Sequence, residues 1–171
     1  MTTARVLLSA MLLTAALAGA AMWYLQVYAF YEPVEPPETV HLATASGRLL
    51  EVAPVDFEGI DAPSSPIRYR ACLRLPPEAS ARDLVPFADP RPPVAPPWFD
   101  CFDAAAIGEA LERREARAVL GQKDIVWGID RVLVLFPDGR AYAWNQINAC
   151  GAVVFDGEPV PDGCPPLPER D

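Results

Sequence analysis

The sequence contains very little histidine and lysine, with one residue of each, His41 and Lys123, among 171 residues. A single histidine disfavours a Ser-His-Asp triad and leaves too few imidazoles for a histidine-based metal site. The chain also lacks a C-x-x-C pair, a Walker loop and the G-x-S-x-G, H-E-x-x-H and G-x-G-x-x-G motifs. We therefore predict no catalytic site, no metal site and no cofactor, and an enzyme is the least favoured function.

Positive charge is scarce as well. The chain carries 14 basic and 23 acidic residues, for a formal net charge of −9. A nucleic-acid-binding protein needs a basic face to replace the counterions of the phosphates, and the arginines here form no dense cluster. We therefore expect no nucleic-acid partner, and we interpret the acidity as a contribution to solubility.

Charge is absent from one long apolar segment, Val6–Tyr31, which lies between Arg5 and Glu32. A helix of about 20 apolar residues is long enough to cross the hydrocarbon core of a bilayer. The far end of the segment is rich in aromatic residues, as is typical of a membrane interface: Trp23, Tyr24, Tyr28, Phe30 and Tyr31. The pattern predicts an uncleaved membrane anchor over residues 1–31.

A cleaved signal peptide is the alternative interpretation of this segment. Val6–Leu17 would then be the hydrophobic region, and small residues at Ala18 or Ala20 would end the cleavage site. We favour the uncleaved anchor because the apolar run continues past these alanines. Cleavage stays open as the second interpretation.

The charges that flank the segment predict its orientation. Arg5 precedes it, whereas Glu32, Glu35 and Glu38 follow it, with no basic residue before Arg48. Because positive flanks stay on the cytoplasmic side, the C-terminal part is expected outside. In a bacterial cell this means a single-pass inner-membrane protein with its domain in the periplasm.

All four cysteines lie after the apolar segment, at Cys72, Cys101, Cys150 and Cys164. An even number of cysteines in an oxidising compartment indicates two disulfides, for which three pairings exist. We favour Cys72–Cys101 with Cys150–Cys164, because each pair closes a proline-rich loop locally.

The fold predicted after the anchor is α+β, a small and mainly antiparallel β-sheet domain with one packed helix, stapled by disulfides. Residues 32–46 are acidic and proline-rich and are expected to form an extended stalk, so that the domain covers residues 47–171. Periodicity and turn residues predict the elements. In chain order these are strands at Arg48–Val52 and Ile67–Leu75, a helix at Asp103–Arg117, strand pieces at Ala118–Leu120 and Ile125–Trp127 around a turn, a hairpin at Arg131–Trp144, and a further strand at Cys150–Phe155.

Two groups of polar residues are candidate ligand contacts. Asn145, Gln146 and Asn148 follow a buried strand directly and could line a pocket, although asparagine also serves as a turn or cap residue. Arg68 and Arg70 lie on one face of a predicted strand and could bind an anion, although such arginines usually form exposed ion pairs.

Three parts of the chain resemble an uncharacterised alphaproteobacterial family of short proteins with a single membrane span. These are Leu25–Tyr31, Asp56–Asp61 with Arg68–Cys72, and Phe136–Asn148. The resemblance covers most of the chain and carries no assigned activity. It implies an intact N-terminal anchor and one domain of unknown role.

Together these observations favour a membrane-tethered periplasmic accessory or interaction protein with a membrane or periplasmic protein partner. A small-ligand-binding periplasmic domain is the alternative, with the two groups of polar residues as contacts. A periplasmic enzyme is the third interpretation, for which Asp56 and Asp61 are the only candidate acids.

Overall fold

A computed structural model describes residues 3–80 and 83–168. The chain divides into two units, Met1–Tyr31 and Glu32–Asp171. Helix α1 (Thr3–Val27) occupies the first unit, and none of its residues is buried. Its 25 residues span about 37 Å, which exceeds the hydrocarbon core of a bilayer at about 30 Å. A helix of this length and composition near the N-terminus fits either a membrane span or a signal sequence.

The second unit is built around an antiparallel sheet, as the sequence predicted, and this sheet has six strands. Its strands, in spatial order, are β1 (Glu32–Val34), β4 (Asp56–Asp61), β5 (Arg70–Arg74), β8 (Arg140–Ile147), β7 (Ile129–Leu135) and β6 (Arg117–Val126). A second, two-stranded sheet pairs β2 (Val40–Ala43) with β3 (Leu49–Val52). The described residues also contain helices α2 (Pro77–Ser80), α3 (Ala104–Glu112) and α4 (Ala149–Phe155). The α+β prediction is therefore confirmed, with three helices in this unit where one was expected.

One face of the six-stranded sheet is covered by the β2–β3 hairpin. The sheet supplies small and branched residues such as Ala71, Leu73 and Leu133, and the hairpin supplies Leu42 and Val52. All of these residues are buried. This layer forms the main hydrophobic core of the unit.

The opposite face of the same sheet is covered by aromatic residues that precede α3. Trp144 is fully buried, and its ring lies edge-on to that of Phe102, with 6.3 Å between the ring centroids. Val132 and Val134 of β7 are buried on this face, while Leu133 and Leu135 are buried on the other. Strand β7 is therefore central and covered on both sides, as befits a strand that is apolar on both faces.

The structure differs from the expectation of an extended stalk at residues 32–46. Strand β1 pairs with β4 through Glu32 opposite Asp61 and Val34 opposite Gly59, and β2 pairs with β3. Proline is tolerated in β1 because an edge strand need not use every backbone N–H. The sheet therefore begins at Glu32, and not near residue 47.

Helix α3 is shorter than predicted, because it ends at Glu112 instead of Arg117. Asp103 caps its N-terminus: the Asp103 carboxylate accepts hydrogen bonds from the backbone N–H groups of Ala105 and Ala106, both at 3.0 Å. Arg114 has a φ of 59°, which lies in the left-handed region and cannot continue a helix. The chain turns there and enters β6.

Strand β6 is continuous, although the sequence predicted two strand pieces separated by a turn at residues 121–124. Its pairing with β7 shifts in register between Leu120 and Gln122 and again before Val126. The polar residues of the expected turn are therefore accommodated as bulges, which add residues without ending the strand.

The prediction of a strand at Cys150–Phe155 was wrong, since α4 covers Ala149–Phe155. The Asn148 side chain accepts a hydrogen bond from the backbone N–H of Gly151 at 3.0 Å and so caps the helix. This local cap prevails over the strand preference of Val153 and Val154.

Candidate functional sites

Asn145 and Gln146 lie inside β8 and not after it, since the strand continues to Ile147. Because successive side chains of a strand alternate, the two amides lie on opposite faces of the sheet. Gln146 accepts a hydrogen bond from the backbone N–H of Arg91 at 2.8 Å and donates one to the carbonyl of Asp89 at 2.9 Å. It thereby holds the proline-rich loop against the sheet.

Asn148 forms a local polar network with two aspartates. Its amide donates hydrogen bonds to Asp124 Oδ1 at 3.1 Å and to Asp130 Oδ1 at 2.9 Å. The same Asp130 oxygen accepts from the backbone N–H of Asp124 at 2.9 Å. These contacts fix the β6–β7 turn beside the start of α4.

The two arginines proposed as ligand contacts lie around the start of β5. Arg70 is buried and donates hydrogen bonds to the carbonyls of Ile67 at 3.1 Å and Val94 at 3.2 Å. Arg68 is half-buried in the loop before the strand. The five candidate ligand residues thus lie in separate surroundings, and the structure does not bring them together around one cavity.

Asp56 and Asp61 lie at the two ends of β4. Five residues of extended strand separate their Cα atoms by about 17 Å, and an odd spacing places the side chains on opposite faces. Two carboxylates in this arrangement cannot act on one substrate bond.

A polar cleft of about 330 Å³ opens on the face of the sheet that carries the β2–β3 hairpin. Apolar residues such as Val40, Leu133 and Ala143 form part of its wall. Its polar lining comes from distant parts of the chain: Thr39, His41, Asp61, Tyr69, Gln122 and Arg131. We refer to these residues and the wall together as the polar cleft.

Arg131 is the cation of the polar cleft. Its Nε donates to Asn145 Oδ1 at 2.6 Å, and the Asn145 amide in turn donates to the carbonyl of Pro66 at 2.6 Å. The guanidinium stacks on Tyr69, with 3.5 Å between Cζ and the ring centroid. No carboxylate among the described residues lies within the 4.0 Å of an ion pair with it. Burial lowers the pKa of Arg131, but a guanidinium stays protonated at neutral pH.

Asp61 contributes a carboxylate to the same cleft. Its Oδ1 accepts from the backbone N–H of Ala62 at 2.8 Å. Burial raises the pKa of Asp61 above its usual 3.8 and outweighs the opposing effects of this hydrogen bond and of the charge on Arg131. Burial also raises the pKa of Tyr69 above 10, so the phenol is neutral at pH 7. The cleft therefore holds two opposite charges that do not pair directly.

A second cavity, of about 460 Å³, is almost entirely apolar and was not anticipated from the sequence. We call it the apolar groove; it is lined by Ser65, Pro66, Ile67, Val126, Trp127, Ile129, Ile147, Phe155, Leu167 and Pro168. Trp127 lies edge-on to Phe155, with 6.3 Å between centroids, and its Nε1 donates to the carbonyl of Pro165 at 3.2 Å. The groove shares no lining residue with the polar cleft.

The two disulfides have the pairing that the sequence favoured. The sulfur atoms of Cys72 and Cys101 are 2.11 Å apart, and those of Cys150 and Cys164 are 2.01 Å apart. The first links β5 to the segment before α3. The second links α4 to the C-terminal segment that lines the apolar groove.

The residues that the structure describes contain no group of three histidine, cysteine, aspartate or glutamate side chains placed to hold a metal ion. A search of curated proteins finds no match, and neither does a search of solved structures. The sequence profile of a family of unknown function, DUF6446, matches residues 40–165, which is well over half of the chain. The chain therefore belongs to this family of unknown function.

Proposed function

We propose that this chain is a membrane-tethered accessory protein whose domain binds a partner protein on the outer side of the membrane. The observation that carries the proposal is α1, whose 25 residues contain no buried position and one charged residue, Arg5, near the start. A globular helix of this length would need a polar face. The helix ends at Val27, and the first strand of the domain begins at Glu32.

The two disulfides support the outward location, because disulfides persist in oxidising compartments and are rare in the cytosol. The flanking charges support the same orientation, with Arg5 on the cytoplasmic side and acidic residues after the span. In a bacterial cell this combination corresponds to a single-pass inner-membrane protein with a periplasmic domain.

The apolar groove is the surface that suits a protein partner. Phe155 and Val126 are about half exposed in it, and Ser65 is the only residue with a hydroxyl, amide or charged side chain among the described lining residues. A small-molecule site usually has several convergent polar groups that fix the ligand. Exposed apolar surface of this kind marks interaction sites. Residues 32–171 carry thirteen basic and 23 acidic side chains, a formal charge of −10. The partner we propose is a protein of the same membrane, with an apolar contacting segment flanked by basic residues.

A photo-crosslinking experiment tests this proposal. A photoreactive phenylalanine analogue replaces Phe155 in the full-length protein in living cells, and the matched control carries it at Val94, which is 81% exposed outside the groove. We expect one membrane protein to be crosslinked from position 155 and not from position 94. The purified partner should bind the full-length chain, and Phe155→Asp should weaken this binding at least about tenfold whereas Val94→Asp should not. Equal crosslinking from both positions, or equal binding by both variants, would contradict the proposal.

A further inference from the structure

The polar cleft fixes the position and the plane of one cation. Arg131 is held at Nε by Asn145 and on one face by the ring of Tyr69. Asn145 and Tyr69 are themselves each only 6% exposed. Tyr69 also shares a side-chain hydrogen bond with Arg131. The guanidinium donors that these contacts leave are the groups that can meet a ligand, and a planar guanidinium matches the two oxygens of a carboxylate.

The same cleft also contains a carboxylate, Asp61, and this narrows the choice of ligand. A simple anion bound at Arg131 would be repelled by Asp61, and a simple cation bound at Asp61 would be repelled by Arg131. A molecule with both charges would be attracted by both groups. Asp61 and Arg131 form no ion pair with each other, and both line the cleft of about 330 Å³, so one small molecule in the cleft can reach both.

The wall of the cleft indicates the rest of the ligand. Val40, Leu133 and Ala143 provide apolar surface next to the two charged groups. A cavity of about 330 Å³ lies at the small end of the range for small-molecule sites, which begins at about 300 Å³. This volume suits a compact ligand with one apolar side chain.

We propose that the polar cleft binds a small zwitterion, an α-amino acid with an apolar side chain. Its carboxylate lies on the Nη donors of Arg131, its ammonium group lies on Asp61, and its side chain contacts the apolar wall. This site goes beyond the proposed function and does not depend on it, since it uses none of the residues of the apolar groove.

Calorimetric titration of the purified full-length protein in detergent micelles tests this assignment. The probe is L-leucine, and its two matched analogues are 4-methylpentanoate, which lacks the ammonium group, and 3-methylbutylamine, which lacks the carboxylate. We expect leucine to bind at least about tenfold more tightly than either analogue, since each analogue loses one charge-assisted contact. The remaining standard L-amino acids are titrated in the same way if leucine gives no heat.

Substitution of Asp61 should change the affinities for leucine and 4-methylpentanoate in opposite directions, which separates the ammonium contact of Asp61 from the carboxylate contact of Arg131. Asp61→Asn should weaken leucine binding at least about tenfold, because the ammonium partner is lost, and should tighten 4-methylpentanoate binding, because the repulsion is lost. Arg131→Gln should abolish binding of both carboxylate probes, and Arg131→Lys should restore it in part. Asp56→Asn, on the opposite face of the same strand, is the control that leaves all three titrations unchanged. Circular dichroism confirms that each variant is folded.

Two results would overturn the proposal. One is the absence of saturable binding by any standard amino acid below about 10 mM, which corresponds to less than about 3 kcal/mol of binding free energy. The other is an Asp61→Asn variant that binds leucine and 4-methylpentanoate with unchanged affinities, which would make Asp61 only an internal counterion for Arg131.

Discussion

The polar cleft and the apolar groove are carried by the same sheet but are held in place in different ways. Arg131 lies opposite Asn145 in the β7–β8 pairing and opposite Gln122 in the β6–β7 pairing, so strand register positions the cleft. The groove depends instead on α4 and on a C-terminal segment that contains no regular structure among residues 156–168. Among the described residues, the disulfide Cys150–Cys164 and the hydrogen bond from Trp127 to the carbonyl of Pro165 tie that segment to the rest of the unit.

This difference has a physical consequence for recognition. A site formed by register is preorganised, because moving one side chain would require a slip of the whole strand. A site formed by a stapled loop can adjust its shape when a partner binds. Rigid polar recognition therefore suits the cleft, and adaptable apolar recognition suits the groove.

The largest effect on the free energy of unfolding should come from a substitution in the sheet that supports both sites. Trp144→Ala should lower the free energy of unfolding by about 3–5 kcal/mol, because this fully buried ring fills the space beneath the sheet. Urea denaturation of the full-length protein measures the change. Val94→Ala, at a position that is 81% exposed, should change it by less than about 0.5 kcal/mol. Equal effects of the two variants would show that the sheet is not packed as described.

Removal of the disulfide Cys150–Cys164 should disturb the apolar groove and leave the polar cleft unchanged. Replacing both cysteines by serine releases a loop that spans 14 residues and should cost about 3 kcal/mol. Crosslinking from position 155 should be lost, while leucine titration should be unchanged. If leucine binding is lost as well, then the two sites are coupled and are not held in place independently.

Gly151→Ala tests the groove without removing a covalent bond. A methyl group at this position would lie 2.2 Å from the carbonyl oxygen of Gly128, so α4 must move away from the β6–β7 turn. We expect a loss of about 1–3 kcal/mol in thermal or urea unfolding, together with weaker partner binding.

Gly108→Ala provides the matched control for this substitution. It lies inside α3, where an added methyl group meets no atom within 4 Å. It should therefore stabilise the protein by about 0.5–1 kcal/mol, because alanine loses less backbone entropy in a helix. A destabilised Gly108→Ala variant would contradict the placement of this residue on an open helix surface.

The smallest expected effect is a pH dependence of the Tm that arises from Asp61 in the polar cleft. The pKa of Asp61 is raised in the folded state by burial, so ionisation of Asp61 opposes folding. Its contribution to stability is therefore greatest below pH 3.8 and falls as the pH rises through the folded pKa. Asp61→Asn should have the higher Tm at pH 7, and its advantage should vanish as the pH falls towards 3.8. A Tm difference of the opposite sign would show that attraction to Arg131 outweighs burial.

Local signals in the sequence account for the parts of the fold that were predicted. The β7–β8 hairpin follows from an apolar run, a Pro-Asp-Gly turn and a second strand, and Gly139 has the positive φ of 85° that closes such a turn. The cap at Asp103 is a local signal of the same kind. The pairing of the cysteines followed from the short loops that they close.

The parts that were not predicted depend on contacts between distant residues. The pairing of β1 with β4 involves three residues of an acidic, proline-rich segment that shows no strand signal of its own. The cleft joins Asp61, Tyr69 and Arg131, and Arg131 by itself looks only like the first residue of an apolar strand. Of the amides that were singled out as ligand contacts, Asn145 instead supports the cleft, since it holds Arg131 in place.

The proposed function requires that the domain be exported and remain attached to the membrane. The most direct measurement is the intact mass of the protein from the membrane fraction, alkylated with and without prior reduction. We predict the full-length mass, with no alkylation before reduction and four alkylated cysteines after it. A mass that lacks the first 18 or 20 residues, or four thiols that react without reduction, would contradict the account of a tethered, disulfide-stapled domain outside the cytoplasm.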